Sequence, residues 1–165
     1  MNQLSSAVTT HRDWDALAPY FANDDCACGI HLAVMVEPFL SYILNGTKTI
    51  ETRFSKNLIP PYRRITPGDL VLLKAGPVVA AFQASSVECV DLDANEKARL
   101  RENYSREICA DDAFWQSRND RNYATLIGIG EVQRLTPVPV PKHDRRGWLV
   151  LRSPGALDSG QLTLL

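Results

Sequence analysis

From Lys48 to Phe54 polar and apolar positions alternate, with Lys48, Ile50, Thr52 and Phe54 on one side of an extended chain and Thr49, Glu51 and Arg53 on the other. The pattern predicts a strand entered from the turn Asn45-Gly46, with Glu51 and Arg53 projecting together. Charges entering a core strand are costly unless they pair or bind something. The remaining elements are therefore read around this stretch.

Residues 1–10 are polar and predict a loose end. Trp14, Leu17, Ala18 and Phe21 have helical spacing, which Pro19 interrupts. Asp24-Asp25 mark a turn. His31 to Val36 reads as a strand with Leu32, Val34 and Val36 on its inner face. Pro38 opens a helix whose apolar face is Phe39, Leu40, Ile43 and Leu44, and Asn45-Gly46 end it. After the motif strand, Pro60, Pro61 and Pro67 impose an irregular loop carrying Lys56, Tyr62, Arg63 and Arg64. Gly68-Asp69 leads into an apolar, central strand from Leu70 to Ala75. Val78 to Val90 reads as a long, bent strand. Asp93 with Glu96 forms a capping box for a helix to about Tyr104, and a second helical stretch spans Arg106 to Arg118. Strands follow over Tyr123–Leu135 and Gly147–Leu151, with Pro137, Pro139 and Pro141 as an extended linker between them.

Many strands with few covering helices predict an α+β fold, a small mixed β-barrel or half-barrel with helices at its edge. Regular strand–helix alternation, the mark of a doubly wound sheet, is missing. The chain divides into an N-terminal extension over 1–29, a folded domain over 30–152 and a C-terminal tail over 153–165.

Composition adds limits. The 165 residues, 45% apolar and 22% charged, are those of one globular domain. A net charge of −1 excludes strong global attraction to nucleic acid, but the charge is segregated. Residues 45–64 sum to +4 and residues 91–112 to −3. No apolar run approaches the ~20 residues of a membrane span. The first residues lack the features of a signal peptide, so the expected location is cytoplasmic and no membrane partner is expected. Cys26, Cys28, Cys89 and Cys109 lack the paired spacing of a zinc site and read as reduced thiols; a redox or metal role for Cys26 and Cys28 is the alternative. No metal and no cofactor is expected, and oligomeric state is left open.

Glu37-Pro38-Phe39, then Ile43 to Arg53, then Pro67-Gly68-Asp69 together resemble the ASCH domain of the PUA-like superfamily. Its signature of a glycine, a lysine two residues on and Glu-x-Arg is matched by Gly46, Lys48, Glu51 and Arg53, with Gly68-Asp69 before an apolar strand. The likeness covers about residues 30 to 135. It implies a PUA-like β-barrel with a cleft beside the first helix, and binding of RNA or a nucleotide or nucleoside. One branch of the family consists of small amidohydrolases that remove the acetyl group from acetylated cytidine, using a lysine, a threonine and a glutamate. Lys48 fits the lysine, Glu51 stands where the threonine would be, and Glu102 is the nearest glutamate. Another branch is ribonuclease-like.

Each candidate has a plainer alternative. Lys48 could contact phosphate, act as a base or be a solvated turn lysine. Glu51 and Arg53 could bind a base edge or form an internal pair closing the barrel. Lys48, with Thr49 nearby, could stabilise an oxyanion while Glu51 or Glu102 activates water. Arg53, Lys56, Tyr62, Arg63 and Arg64 offer the cations and aromatic ring of a single-stranded RNA site, or a solvated loop fixed by prolines. Lys142, His143, Arg145 and Arg146 form a second basic cluster. Trp14, Trp115 and Trp148 read as core, and Glu88 as exposed or cleft-facing. The leading expectation is a module that binds RNA or a nucleotide; a hydrolase and then a protein-interaction domain follow.

Overall fold

The computed structural model describes residues 2–22, 27–141 and 145–155. Its elements run α1 (Asn2–Thr10), a 3-10 helix (Arg12–Leu17), α2 (Ala18–Phe21), β1 (Ile30–Val34), α3 (Phe39–Leu44), β2 (Ile50–Ser55), β3 (Leu70–Lys74), β4 (Val78–Asp91), α4 (Ala94–Ile108), α5 (Asp112–Gln116), β5 (Tyr123–Val138) and β6 (Trp148–Arg152). The Asp24-Asp25 turn, Cys26, Lys142, His143 and the tail from residue 156 lie outside the described residues.

The six strands form one mixed sheet in the order β2-β5-β4-β3-β1-β6. Only β1 and β3 pair in parallel, as the crossover through α3 and β2 requires. β4 is long and bent: its ladder with β5 shifts register in three places, and such shifts tighten local twist. The sheet curls enough for a side chain on β2, one edge, to reach the main chain of β1 and the start of β6 near the other. This is the expected mixed half-barrel with flanking helices.

β1 and β3 are buried on both faces. Leu32, Leu70 and Leu72 pack in one cluster with Leu4, Trp14 and Leu17, while Ala33, Val71 and Leu73 pack in another with Leu40 and Ile43 from α3. That explains their nearly unbroken apolar sequence. It also corrects two expectations. Residues 2–10 are helical, because Leu4 and Ala7, one turn apart, bury against the 3-10 helix and the sheet. The inner-face assignment in β1 fails because Leu32 faces these N-terminal helices and Val36 lies past the strand, 65% exposed.

Pro19 sits at the start of α2, consistent with its break of the helical run. Asp93 caps α4 by accepting from the Glu96 amide at 2.7 Å. That helix continues to Ile108, four residues past its expected end, and stops at Cys109 in the left-handed conformation. A third cluster joins α4 and α5 to the sheet through Leu100, Ile108, Phe114, Trp115 and Leu126. Trp14, Trp115 and Trp148 are all buried. No helix among the described residues is long and apolar enough to cross a membrane.

Candidate functional site

Gly46, at φ +80°, reverses the chain after α3, and Lys48 and Thr49 pass before β2 begins. The strand alternation therefore does not extend back to Lys48. Its ammonium turns to the side of Glu51, opposite to the expected parity, and lies 3.5 Å from Glu51 Oε2. Lys48 Nζ also donates to the carbonyl of Ile108 at the end of α4, at 2.9 Å, and sits 5.3 Å from the Phe39 ring centroid. A cation there complements the helix C-terminus. Burial pulls the Lys48 pKa below the usual lysine value, and the neighbouring Glu51 carboxylate opposes that shift.

Glu51 and Arg53 share a face of β2 as alternation predicts. Arg53 Nε is 3.0 Å from Glu51 Oε1, yet this buried N–H meets no acceptor in hydrogen-bonding geometry, so the contact is an ion pair out of line. The other guanidinium nitrogens donate to Val34 O at 3.1 Å and Gly147 O at 3.2 Å, and the group lies 5.2 Å from the Trp148 ring centroid. Lys48 and Glu51 are only 3% and 4% exposed. Two buried charges and the half-buried Arg53 thus form one network, and that network lines an open cleft.

The cleft has a volume of about 450 Å³. Lys48, Glu51, Thr52 and Arg53 line it from the stretch leading into and along β2, together with Phe39, Phe114, Arg118 and Arg121. The volume is that of a small-ligand pocket, about 300–1,000 Å³. Four cations and one carboxylate give it a positive field. Arg118 lies 3.6 Å over the Phe114 ring centroid, held by a 3.1 Å bond from Nη1 to the Phe114 carbonyl. Burial, then the charge of Arg121, lowers its pKa. The Ile129 amide donates to Thr49 O at 2.9 Å, a pairing that turns the main-chain groups of Thr52 toward the open edge of β2 and so to the cleft.

The other sequence candidates stand elsewhere. Glu102 is exposed on α4 and does not line the cleft. Thr49 is exposed, with its amide donating to Glu107 O at 2.9 Å. Lys56 pairs with Asp120 at 2.6 Å. Tyr62 is buried, and its hydroxyl donates to Asp91 at 2.5 Å, a bond that raises the phenol pKa. It lines a smaller hollow next to the cleft, with Arg53 and Trp148. Arg63 and Arg64 are exposed outside both hollows. Glu88 pairs with Arg99 of α4. Cys89 and Cys109 are thiols. Among the described residues no three His, Cys, Asp or Glu side chains converge as a metal site.

Arg118 and Arg121 line the cleft and were not among the residues expected there. Their signal is the spacing of two arginines three apart, the first of them three residues after the aromatic pair Phe114-Trp115.

A second buried cluster supports the wall from behind. Asp69 accepts from the Gly29 amide at 2.6 Å, the Thr66 amide at 2.8 Å and His31 Nε2 at 3.0 Å. Trp148 Nε1 donates to His31 Nδ1 at 3.2 Å, so Nδ1 is the bare nitrogen and Nε2 carries the proton. Burial pushes the Asp69 pKa up, but the bonds from His31, Thr66 and Gly29 outweigh it and hold the carboxyl below its usual range. The Gly-Asp pair of the sequence thus ties the turn before β3 to β1 and, through His31, to Trp148 under Arg53.

No family profile matches the chain, and no curated protein matches its sequence. Among solved structures, ASCH from Zymomonas mobilis superposes with a TM-score of 0.59 at 15% identity, over 74% of this chain and 87% of that one. Two single-residue variants of that protein each give 0.58 at 15% identity, over 74% of this chain and 90% or 88% of theirs. At this identity the likeness establishes the fold: the chain has the ASCH-type, PUA-like α+β architecture.

Proposed function

We propose that this chain is an ASCH-type module whose cleft binds a nucleotide or single-stranded RNA. One observation carries the reading: a single carboxylate, already held between Lys48 and Arg53, faces four cations in a hollow walled by aromatic rings. Arg118 and Arg121 suit phosphate, Phe39 and the Arg118 plate stacked on Phe114 offer surfaces to a base, and the Thr52 amide and carbonyl offer a donor and an acceptor to a base edge. Glu51 holds the two cations in place.

Titration calorimetry with nucleoside monophosphates, nucleosides and short single-stranded RNA tests it. Phosphate-bearing ligands should bind, and Arg121→Ala should weaken them about threefold. Binding should fall with added salt. Absence of binding by every ligand in the set overturns the proposal.

A hydrolytic role is the second reading, favoured by the lowered pKa of Lys48 beside the cleft. Acetylated cytidine and RNA incubated with the protein would show deacetylation or cleavage that Lys48→Met abolishes. Intact substrate after prolonged incubation removes this reading and leaves the binding module.

A further inference from the structure

The cleft does not end where its own walls do. It shares Arg53 and Phe54 with the hollow of about 180 Å³ that also holds Tyr62, Arg146 and Trp148. On its other side it shares Phe54 and Arg118 with a hollow of about 270 Å³ between α4 and α5, lined by Lys97, Arg101 and Trp115. Phe54 therefore lines all three. Its ring is half-exposed and is braced edge-on by Phe114 and Trp115, with centroids 5.9 Å away in each case.

The charge lining the three hollows is one-sided. Cations line all three hollows, and Glu51 is the sole carboxylate lining any of them among the described residues, in a chain of net charge −1. Arg101 and Lys97 are partly engaged, by Asp112 at 2.6 Å and by the Asn119 carbonyl at 2.6 Å, yet both still line the third hollow. Each hollow also carries an aromatic side chain. Cation and ring paired in each of three adjoining hollows is the chemistry that follows a single strand, with phosphates on the cations and bases on the rings. A duplex keeps its bases stacked inside and cannot place them in such hollows.

We propose that the three adjoining hollows form one track for a single-stranded nucleic acid, with one nucleotide in each and Phe54 at the junction. This rests on the reading of the central cleft as a nucleotide site and adds that the ligand is a chain rather than a monomer.

Fluorescence anisotropy with end-labelled RNA of one to six nucleotides tests it, beside duplex RNA, single-stranded DNA and inorganic tripolyphosphate as competitors. Affinity should climb with length up to three nucleotides and then level. The salt dependence of the trinucleotide should have a slope of about −2, from three phosphates at about −0.7 each. Arg146→Ala and Lys97→Ala, each checked for an unchanged unfolding midpoint, should weaken the trinucleotide about threefold and leave the mononucleotide unaffected. Equal affinity for one and three nucleotides, or no effect of either flanking variant, overturns the track while the central site stands. Competition by tripolyphosphate or duplex RNA as strong as by single-stranded RNA also overturns it. Single-stranded DNA should compete as well as RNA of the same length, since neither cation nor ring reads the 2′-hydroxyl, and its failure to compete overturns recognition by cation and ring. Failure of all lengths to bind overturns the central site as well.

Discussion

The Arg53 guanidinium on β2 donates to the carbonyl oxygen of Val34 on β1 at 3.1 Å, although β5, β4 and β3 stand between those strands in the sheet. One side chain thus bridges the open seam of the half-barrel and forms part of the cleft wall. The same group holds the seam and lines the cleft. Arg53→Met should lower unfolding free energy by about 2 kcal/mol, the scale of charged hydrogen bonds lost with a partner left behind. Arg53→Lys should recover little, because one ammonium cannot reach Val34, Gly147 and Glu51 together. Urea unfolding of the two variants checks this; full rescue by lysine would contradict it.

Lys48 gives a pH dependence with a definite sign. Its folded-state pKa is lowered by burial, against an ordinary value of 10.5. The unfolded chain therefore holds this proton more tightly than the folded one. The penalty for keeping the buried ammonium is present in full below the folded pKa, shrinks as pH rises, and is gone above 10.5. Stability of the native chain should rise relative to Lys48→Met as pH increases toward that value, at no more than about 1.4 kcal/mol per pH unit. Urea midpoints measured across alkaline pH report it, and parallel curves for the two proteins would refute it.

Asp69 behaves in the opposite way. Its folded pKa is depressed below the ordinary 3.8, so its contribution is present above that value and is lost as pH falls through the folded pKa. Asp69→Asn should cost about 3 kcal/mol near neutral pH, since the amide turns a donor toward the Gly29, Thr66 and His31 donors. The acid limb of its stability profile should be flatter than that of the native chain. Gly29→Ala should be comparably damaging, because a Cβ there would meet Asp69 Oδ2 at 2.7 Å and His31 Nε2 at 2.9 Å, both fixed by their own bonds. A well-tolerated alanine would show that the cluster can relax.

The strand pattern made β2, β3, β4 and β5 legible because alternation and apolar runs are local properties. The pairing of Glu51 with Arg53 was legible for the same reason. The position of Lys48 was not, since parity applies only inside a strand and β2 starts two residues later. Helix α1 was hidden because two apolar residues, Leu4 and Ala7, acquire meaning only against the sheet. Tyr62, Arg63 and Arg64 looked like one binding loop by composition. The fold buries the first against Asp91 and leaves the others exposed, outside the lining of the cleft, a long-range outcome that no window of sequence contains.

Arg118 offers the sharpest separation of charge from shape. It stacks 3.6 Å over the Phe114 ring and lines both the central cleft and the hollow beside α4. Arg118→Ala removes the cation and the plate together and should weaken nucleotide binding about tenfold, the sum of a phosphate contact and a stacking surface. Arg118→Lys keeps the charge but cannot stack as a plane or present a fork to phosphate. Its salt slope should therefore match the native chain while its affinity stays several-fold lower. Calorimetry at two ionic strengths separates the two properties. A lysine variant with native affinity would show that Arg118 acts by charge alone, and an alanine variant with native affinity would move the ligand away from this wall.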